Sequence, residues 1–460
     1  MNLRLSLLFV FSTTILAVAP GSISASDPLE AMTRKIAVEI TEHGKAYDDL
    51  VELTARGHRL SGSDGAARAV EWGKRKMESY GFDRVVLQPV QVPHWTRGDV
   101  EQATVTSTPK PISLQVAALG NSVGTHKEGL EAGVVEVQSL EEVKKLGAAV
   151  RGKIVFYNRP MDPKRKNKFK AYGEAVDQRV AGASVAAKQG AVAVLVRSMS
   201  TLPDDSFPHT GMLMYEKDVE KIPAAALSIR SANALAALLK ENPKLTVKLE
   251  LSAAQHPLVP SFNVIGEITG RDLPHEYVLV GGHLDSWDLG TGAHDDGAGV
   301  AQSIEVARAF KALGIRPRRT VRVVLFMAEE FGSFGAAEYA KQVKEKGEKH
   351  YAAIESDSGG FAPTGFSVEG NEEAVAAVKR WSPYLTPLHA GEIEKGGSGA
   401  DIAALGPLGA IAIGFVPDST HYFDFHHSAL DRIDAVSKKD LHAGAAAIAV
   451  LTYLLAEKDK

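Results

Sequence analysis

The chain has 460 residues, of which 45% are hydrophobic and 23% charged, a globular balance with apolar material enough for two compact domains. Lys and Arg number 52 against 56 Asp and Glu, a formal net charge of -4, so neither phosphate-driven nucleic-acid binding nor an anionic-membrane patch has electrostatic support. The cysteine count is 0, which removes disulfides, thiolate metal sites and cysteine nucleophiles together.

Met1-Asn2-Leu3-Arg4 leads into the apolar run Leu5 to Ala19 and then into the small residues Ser22-Ile23-Ser24-Ala25-Ser26. One positive charge, an apolar stretch and a small-residue end predict a secretory signal peptide over residues 1–25. A spanning helix needs about 20 apolar residues, and this run is shorter and closes in Pro20-Gly21. The expectation is an exported chain, periplasmic or secreted, with no membrane attachment after cleavage. No Asn-X-Ser/Thr acceptor occurs, which favours a bacterial setting over a glycosylating one.

Apolar residues at three- and four-residue spacing predict helices over Ala31–His43, Tyr47–Ala55 and Ala66–Tyr80, with Arg59-Leu60-Ser61-Gly62-Ser63 as a loop between the last two. Arg84 to Val92 reads as a strand. Residues 108–256 have a different texture: strands at Gly152–Tyr157, Ala191–Val196 and Ile222–Leu227 alternate with an alanine-rich helix, Glu174–Gln189, and a second helix, Ala232–Lys240. This stretch reads as a small inserted domain between residues 26–107 and 257–460. Beyond Pro257-Leu258-Val259-Pro260, short apolar strands (Tyr277–Gly281, Val321–Met327, Ala352–Glu355, Ala410–Phe415) alternate with helices Gly297–Leu313, Gly335–Lys346, Ala374–Trp381 and Lys438–Ala456. Buried strands separated by helices predict an α/β fold, a mixed, mostly parallel sheet covered by helices on both faces.

In such sheets function gathers beyond the carboxyl ends of the strands. Here the first three of those strands run out into metal-binding residue types: Gly282-His283-Leu284-Asp285, Ala328-Glu329-Glu330 and Ser356-Asp357-Ser358-Gly359. Gly292-Ala293-His294-Asp295-Asp296-Gly297 presents carboxylates before a helix, and Phe425-His426-His427-Ser428-Ala429-Leu430-Asp431 adds imidazoles. Nitrogen and oxygen ligands without thiolate suit zinc, and a bridging carboxylate suits two zinc ions about 3.5 to 4 Å apart. Of two adjacent glutamates, one can bind metal while its neighbour takes a proton from water. Asp285, two positions beyond His283, suits a carboxylate that orients the imidazole or its surroundings. Singly, each segment reads as a turn, a helix start, a solvated cap or a surface loop; together, at successive strand ends, they read as one site.

These segments resemble the co-catalytic di-zinc aminopeptidase family, and further similarity at Arg59–Ser63, Pro93-His94-Trp95 and Pro208-His209-Thr210-Gly211 extends the match over nearly the whole mature chain. The resemblance implies a zinc exopeptidase fold interrupted by a protease-associated domain. It implies two zinc ions, with Asp295 bridging, His283 and Asp357 completing one site, Glu330 and His427 the other, and Glu329 as general base. A cis peptide between Asp295 and Asp296 and homodimerisation are implied as well. His294 is read as a bystander, and His427 is preferred to His426 because His-Ser-X-X-Asp ends at Asp431.

The function so implied is hydrolysis of dipeptides or short unblocked peptides by a water activated on the metal pair. The same scaffold could serve another amide hydrolase or a glutaminyl cyclase. A noncatalytic binding protein of this fold would lack ligands or base, and here none is missing. Asp401, Asp424, Lys395, Arg432 and Arg59 are the candidates for holding a substrate terminus. Lys395-Gly396-Gly397-Ser398-Gly399 lacks the spacing of a phosphate-binding loop and reads as a flexible loop beside the substrate. His209, alone in its loop, is left outside the site.

Overall fold

The computed structural model describes residues 28–458, so the predicted signal peptide lies outside the described residues. The larger sheet has eight strands: β1 (Arg84–Thr96), β2 (Ala254–Ile268), β3 (Leu273–His283), β4 (Arg319–Phe326), β5 (Lys349–Glu355), β6 (Pro363–Glu369), β7 (Glu392–Lys395) and β8 (Ile411–Pro417). Their spatial order is β1-β2-β4-β3-β5-β8-β6-β7. The central strands β4, β3, β5 and β8 are parallel neighbours, as are β6 and β7, while β1/β2, β2/β4 and β8/β6 are antiparallel.

The central strands are continuous apolar runs because both of their faces are covered. Val278 and Val280 of β3, with Val321, Val323 and Leu325 of β4, enter one layer under helices Pro28–His43, Asp64–Ser79, Ala298–Ala312 and Lys438–Glu457. Leu279, Val324 and Phe326 enter the opposite layer with Ala336, Tyr339 and Val343 of helix Phe334–Lys346. The closing helix Lys438–Glu457 is long and apolar enough to cross a bilayer, yet most of it lies inside the fold. Losing the side chain of its fully buried Leu451 should cost about 2–5 kcal/mol through the cavity left behind.

Three strands of this sheet escape the sequence reading. β2 carries Pro257 and Pro260, ahead of the stretch where the strands were read; β1 and β2 change register between Val92 and His94, opposite Val259 and His256, and there Pro257 is tolerated. β6 and β7 lie toward one edge, are partly exposed, and so lack a continuous apolar run.

Between β1 and β2 the chain forms a second eight-stranded sheet from residues between Glu101 and Leu251. Its strands Leu130–Val137, Ile154–Tyr157, Ala193–Arg197 and Ala224–Leu227 run parallel at its centre. The expected helix Glu174–Gln189 is here two short helices, Asp177–Val180 and Gly182–Lys188. The break falls at Ala181, and Gly182, which opens the second helix, lies against the Tyr157 ring, where a Cβ would come within 2.8 Å of Cε2, while its carbonyl accepts the Tyr157 hydroxyl at 3.0 Å.

Candidate metal centre

The parallel order delivers the predicted residues to one edge of the larger sheet. His283 is the last residue of β3, Glu329 and Glu330 follow the end of β4, and Asp357 follows the end of β5. β8 leads through the turns Ser419–His421 and Tyr422–Phe425 to His427. Ala328 holds a left-handed φ of 64°, turning the chain sharply after β4 so that both glutamates emerge at the sheet edge.

Asp295 stands at the centre. Its Oδ1 lies 3.1 Å from His283 Nε2, and its Oδ2 lies 3.2 Å from His427 Nε2. Asp357 Oδ1 is 3.4 Å from the same His283 nitrogen, and Glu330 Oε2 is 3.1 Å from the same His427 nitrogen. The five residues therefore form two groups that share one carboxylate. The peptide between Asp295 and Asp296 is cis, as the resemblance implied.

A shell of buried groups fixes this arrangement. Asp296 accepts the backbone N–H of His283 and of Gly299, both at 2.9 Å. Asp431 accepts those of Ala293, His294 and Asp295 at 3.0, 2.7 and 3.1 Å, so the residue that ends the His-Ser-X-X-Asp pattern grips the loop carrying Asp295. The Asp285 carboxylate accepts from the N–H groups of Glu329 and Glu330 at 3.1 and 3.3 Å. That carboxylate was expected to orient the His283 ring or its surroundings; it holds the neighbouring glutamates' N–H groups, while the nearer contact of the ring's Nδ1 is the Asp285 backbone carbonyl, at 3.1 Å against 3.7 Å.

Packing so many carboxylates away from water has an electrostatic signature. Burial raises Glu329 well above the usual carboxylate range, and Asp357, Glu330 and Asp285 add to it against the opposing pull of His283. Burial likewise raises Glu330 and Asp357. Desolvation disfavours the imidazolium of His283, yet Asp357, Asp285 and Asp295 outweigh it and hold the ring well above its ordinary value. Glu330 Oε1 and Asp357 Oδ1 are buried without a hydrogen-bond partner. Spare lone pairs on carboxylates that crowd two imidazoles are the donor set a zinc ion requires.

The neighbouring histidines divide. His294 spends both ring nitrogens on the backbone, accepting from Gly360 N at 3.1 Å and donating to Ala435 O at 3.2 Å, and it stacks on Phe361 at 4.2 Å. His426 lies nearer the centre than the sequence suggested: it stacks on His427 at 3.5 Å, with Nε2 3.8 Å from Asp295 Oδ2.

The candidates for a substrate terminus also separate. Arg59 is fully buried and donates to the carbonyls of Leu284, Thr291 and Gly292 at 2.6, 2.5 and 2.9 Å, so it straps the centre's loops together. Asp424 is taken by Thr201 and His421, Arg432 is exposed with Nε on Ala429 O, and Lys395 faces Glu372 at 3.2 Å. Asp401 is buried with neither oxygen partnered, and its amide donates to Glu355, a carboxyl that burial and then Asp357 push up to about 8. The Lys395–Gly399 loop, with Glu355, Asp357 and the inserted unit's Asn167 and Phe169, lines a cavity of about 490 Å³. Within that loop the Ser398 hydroxyl donates to Glu369 at 2.6 Å.

Two features went unread in the sequence. His209, left outside the site, is paired with Asp205 at 2.8 Å, but the next two residues, Thr210 and Gly211, abut His427. Glu355, the last residue of β5, was read as a strand end and given no role of its own. The Pro208–Gly211 similarity was the available signal for the first, and an acidic residue in an apolar run for the second.

Residues 263–452 match the model of peptidase family M28. The chain is 34% identical to carboxypeptidase Q of Bos taurus over 98% of each chain. It is similar in structure to a peptidase M28 precursor from Shewanella amazonensis, with a TM-score of 0.89 and 36% identity over 94% of this chain and 97% of that one. A zinc aminopeptidase from Bacillus subtilis shares the fold at a TM-score of 0.66 and 20% identity, covering 90% and 95% of the two chains.

Proposed function

The chain belongs to peptidase family M28, a zinc metallopeptidase, and from that premise we propose that it is a two-zinc exopeptidase acting on dipeptides or short unblocked peptides. The observation that carries the reading is the Asp295 carboxylate, each of whose oxygens faces a different imidazole, His283 at 3.1 Å and His427 at 3.2 Å. A carboxylate in that position suits a bridge, with His283 and Asp357 holding one ion and Glu330 and His427 the other. Zinc bound there would lower the pKa of water and polarise the scissile carbonyl.

Glu329 is the general base. Its backbone N–H is held by Asp285, its neighbour Glu330 is spent beside His427, and burial raises its affinity for a proton. A carboxyl of that kind can take a proton from water and deliver it to the leaving amine. The cavity of about 490 Å³ beside Asp357, closed partly by Asn167 and Phe169, supports small substrates.

The test is purification of the mature chain and its Glu329→Gln form, measurement of zinc, and assay on dipeptides with free and blocked ends. Two zinc ions per chain in both forms are expected, with kcat lowered about 10²- to 10⁴-fold in the variant. Full activity in Glu329→Gln, or no metal in the wild type, would end the reading.

A further inference from the structure

The inserted unit meets the centre at Thr210 and Gly211, through contacts of the kind that orient a ligand. The Thr210 N–H donates to the His427 carbonyl at 3.0 Å, and His427 Nδ1 faces the Thr210 carbonyl at 3.3 Å. A carbonyl only accepts, so toward Thr210 it is Nδ1 that donates, leaving Nε2, the atom facing Asp295 and Glu330, free to accept; Arg179 Nη1 also lies 3.5 Å from Nδ1. His427 has a φ of 60°, a conformation that a residue with a side chain keeps when its surroundings impose it.

Behind this contact lies a cation. Arg179 is buried, donates through Nη1 to the same Thr210 carbonyl at 3.3 Å and through Nη2 to the Tyr172 hydroxyl at 2.6 Å, and has no carboxylate partner among the described residues. Gly211 has a φ of 133°; a Cβ there would overlap Arg179 Nη1 and sit 2.8 Å from His427 Nδ1. The loop is fixed in turn to the inserted sheet. The Gly211 carbonyl accepts from Gly120 N at 3.0 Å, and the Thr210 hydroxyl donates to Ala118 O at 2.8 Å. His283 and Asp357, by contrast, lie at the ends of strands of the larger sheet.

We propose that Thr210 and Gly211, with Arg179 behind them, are positioning residues for His427, so that the inserted unit governs how tightly the Glu330/His427 half of the centre holds its metal. The inference rests on the two-zinc reading above. It means the halves differ in what supports them: strand ends of the larger sheet for His283 and Asp357, both units together for His427.

The experiment uses full-length, zinc-loaded wild type, Gly211→Ala, Arg179→Met and Arg179→Lys. Zinc release is followed by competition with a chelator and by zinc per chain after dialysis, and thermal unfolding reports whether each fold is intact. Gly211→Ala and Arg179→Met should hold one of two zinc ions about 10- to 100-fold more weakly, with the other unchanged, and Arg179→Lys should recover part of the loss. Selective loss of one ion is what a general destabilisation would not produce. Two ions held as in the wild type, or both weakened alike, would overturn the proposal while leaving the two-zinc reading intact. A wild type that binds no zinc overturns the two-zinc reading and this inference with it. Should Gly211→Ala not fold, Arg179→Met, which introduces no new Cβ into the loop, decides the matter by the same measurements.

Discussion

Asp285 and Glu329 are joined by a hydrogen bond in which the glutamate's backbone N–H donates to the aspartate's Oδ1 at 3.1 Å. The same carboxylate takes the N–H of Glu330 through Oδ2, so one buried side chain sets both the proposed base and its neighbour beside His427. Asp285→Asn turns an amide NH₂ toward one of those donors. Zinc affinity and kcat should each fall about 10- to 100-fold, read by chelator competition and steady-state kinetics. Wild-type values for both would remove Asp285 from the machinery.

His427 and His426 stack on one another, but Nε2 of His427 lies 3.2 Å from Asp295 Oδ2 and that of His426 lies 3.8 Å away. Only His427 also faces Glu330. His427→Ala should therefore drop bound zinc from two ions per chain toward one, while His426→Ala keeps both. Elemental analysis after dialysis distinguishes the two variants, and the reverse pattern would transfer the ligand role to His426.

Arg59 offers a test of the scaffold. It is fully buried and supplies donors to three carbonyls of the loops around Asp295. Arg59→Met keeps the stem and strands those carbonyls, at about 1–3 kcal/mol for each one left unsatisfied. A marked fall in melting temperature is expected, with the same end-group preference among dipeptides. A changed preference with unchanged stability would make Arg59 a substrate contact after all.

His350, on β5, is buried, with Nε2 2.8 Å from the Tyr339 hydroxyl. Burial first, and then Arg322, lower its pKa to about 4. The native state thus holds it neutral while the unfolded chain takes a proton at about 6.5. Stability present above pH 6.5 is lost as pH falls toward 4, by about 3 kcal/mol from this group. His350→Gln keeps a polar partner for Tyr339 and cannot titrate, so urea midpoints measured from pH 7 to 4 should decline less steeply than in the wild type. Parallel pH profiles would show that His350 does not carry the effect.

His283, Glu329, Glu330 and Asp357 were legible because each follows a short apolar run, and a parallel sheet must send the ends of such runs to one edge. The metal-ligand types and the adjacent glutamates were local facts of the same kind. What the chain order could not say was which distant groups would close on them. Asp431 binds the backbone 136 to 138 positions away, Thr210 reaches His427 across 217, and Arg59 reaches the loops after β3 across 225 to 233. Those are hydrogen bonds between a side chain and a distant backbone group, formed with whatever segment packing brings near, and they leave no spacing to read. The residue types of the site were therefore written in local sequence, as was the preference for His427 over His426 through the pattern ending at Asp431, whereas the anchoring of Arg59 and the seat of the inserted unit were decided only where distant segments pack together.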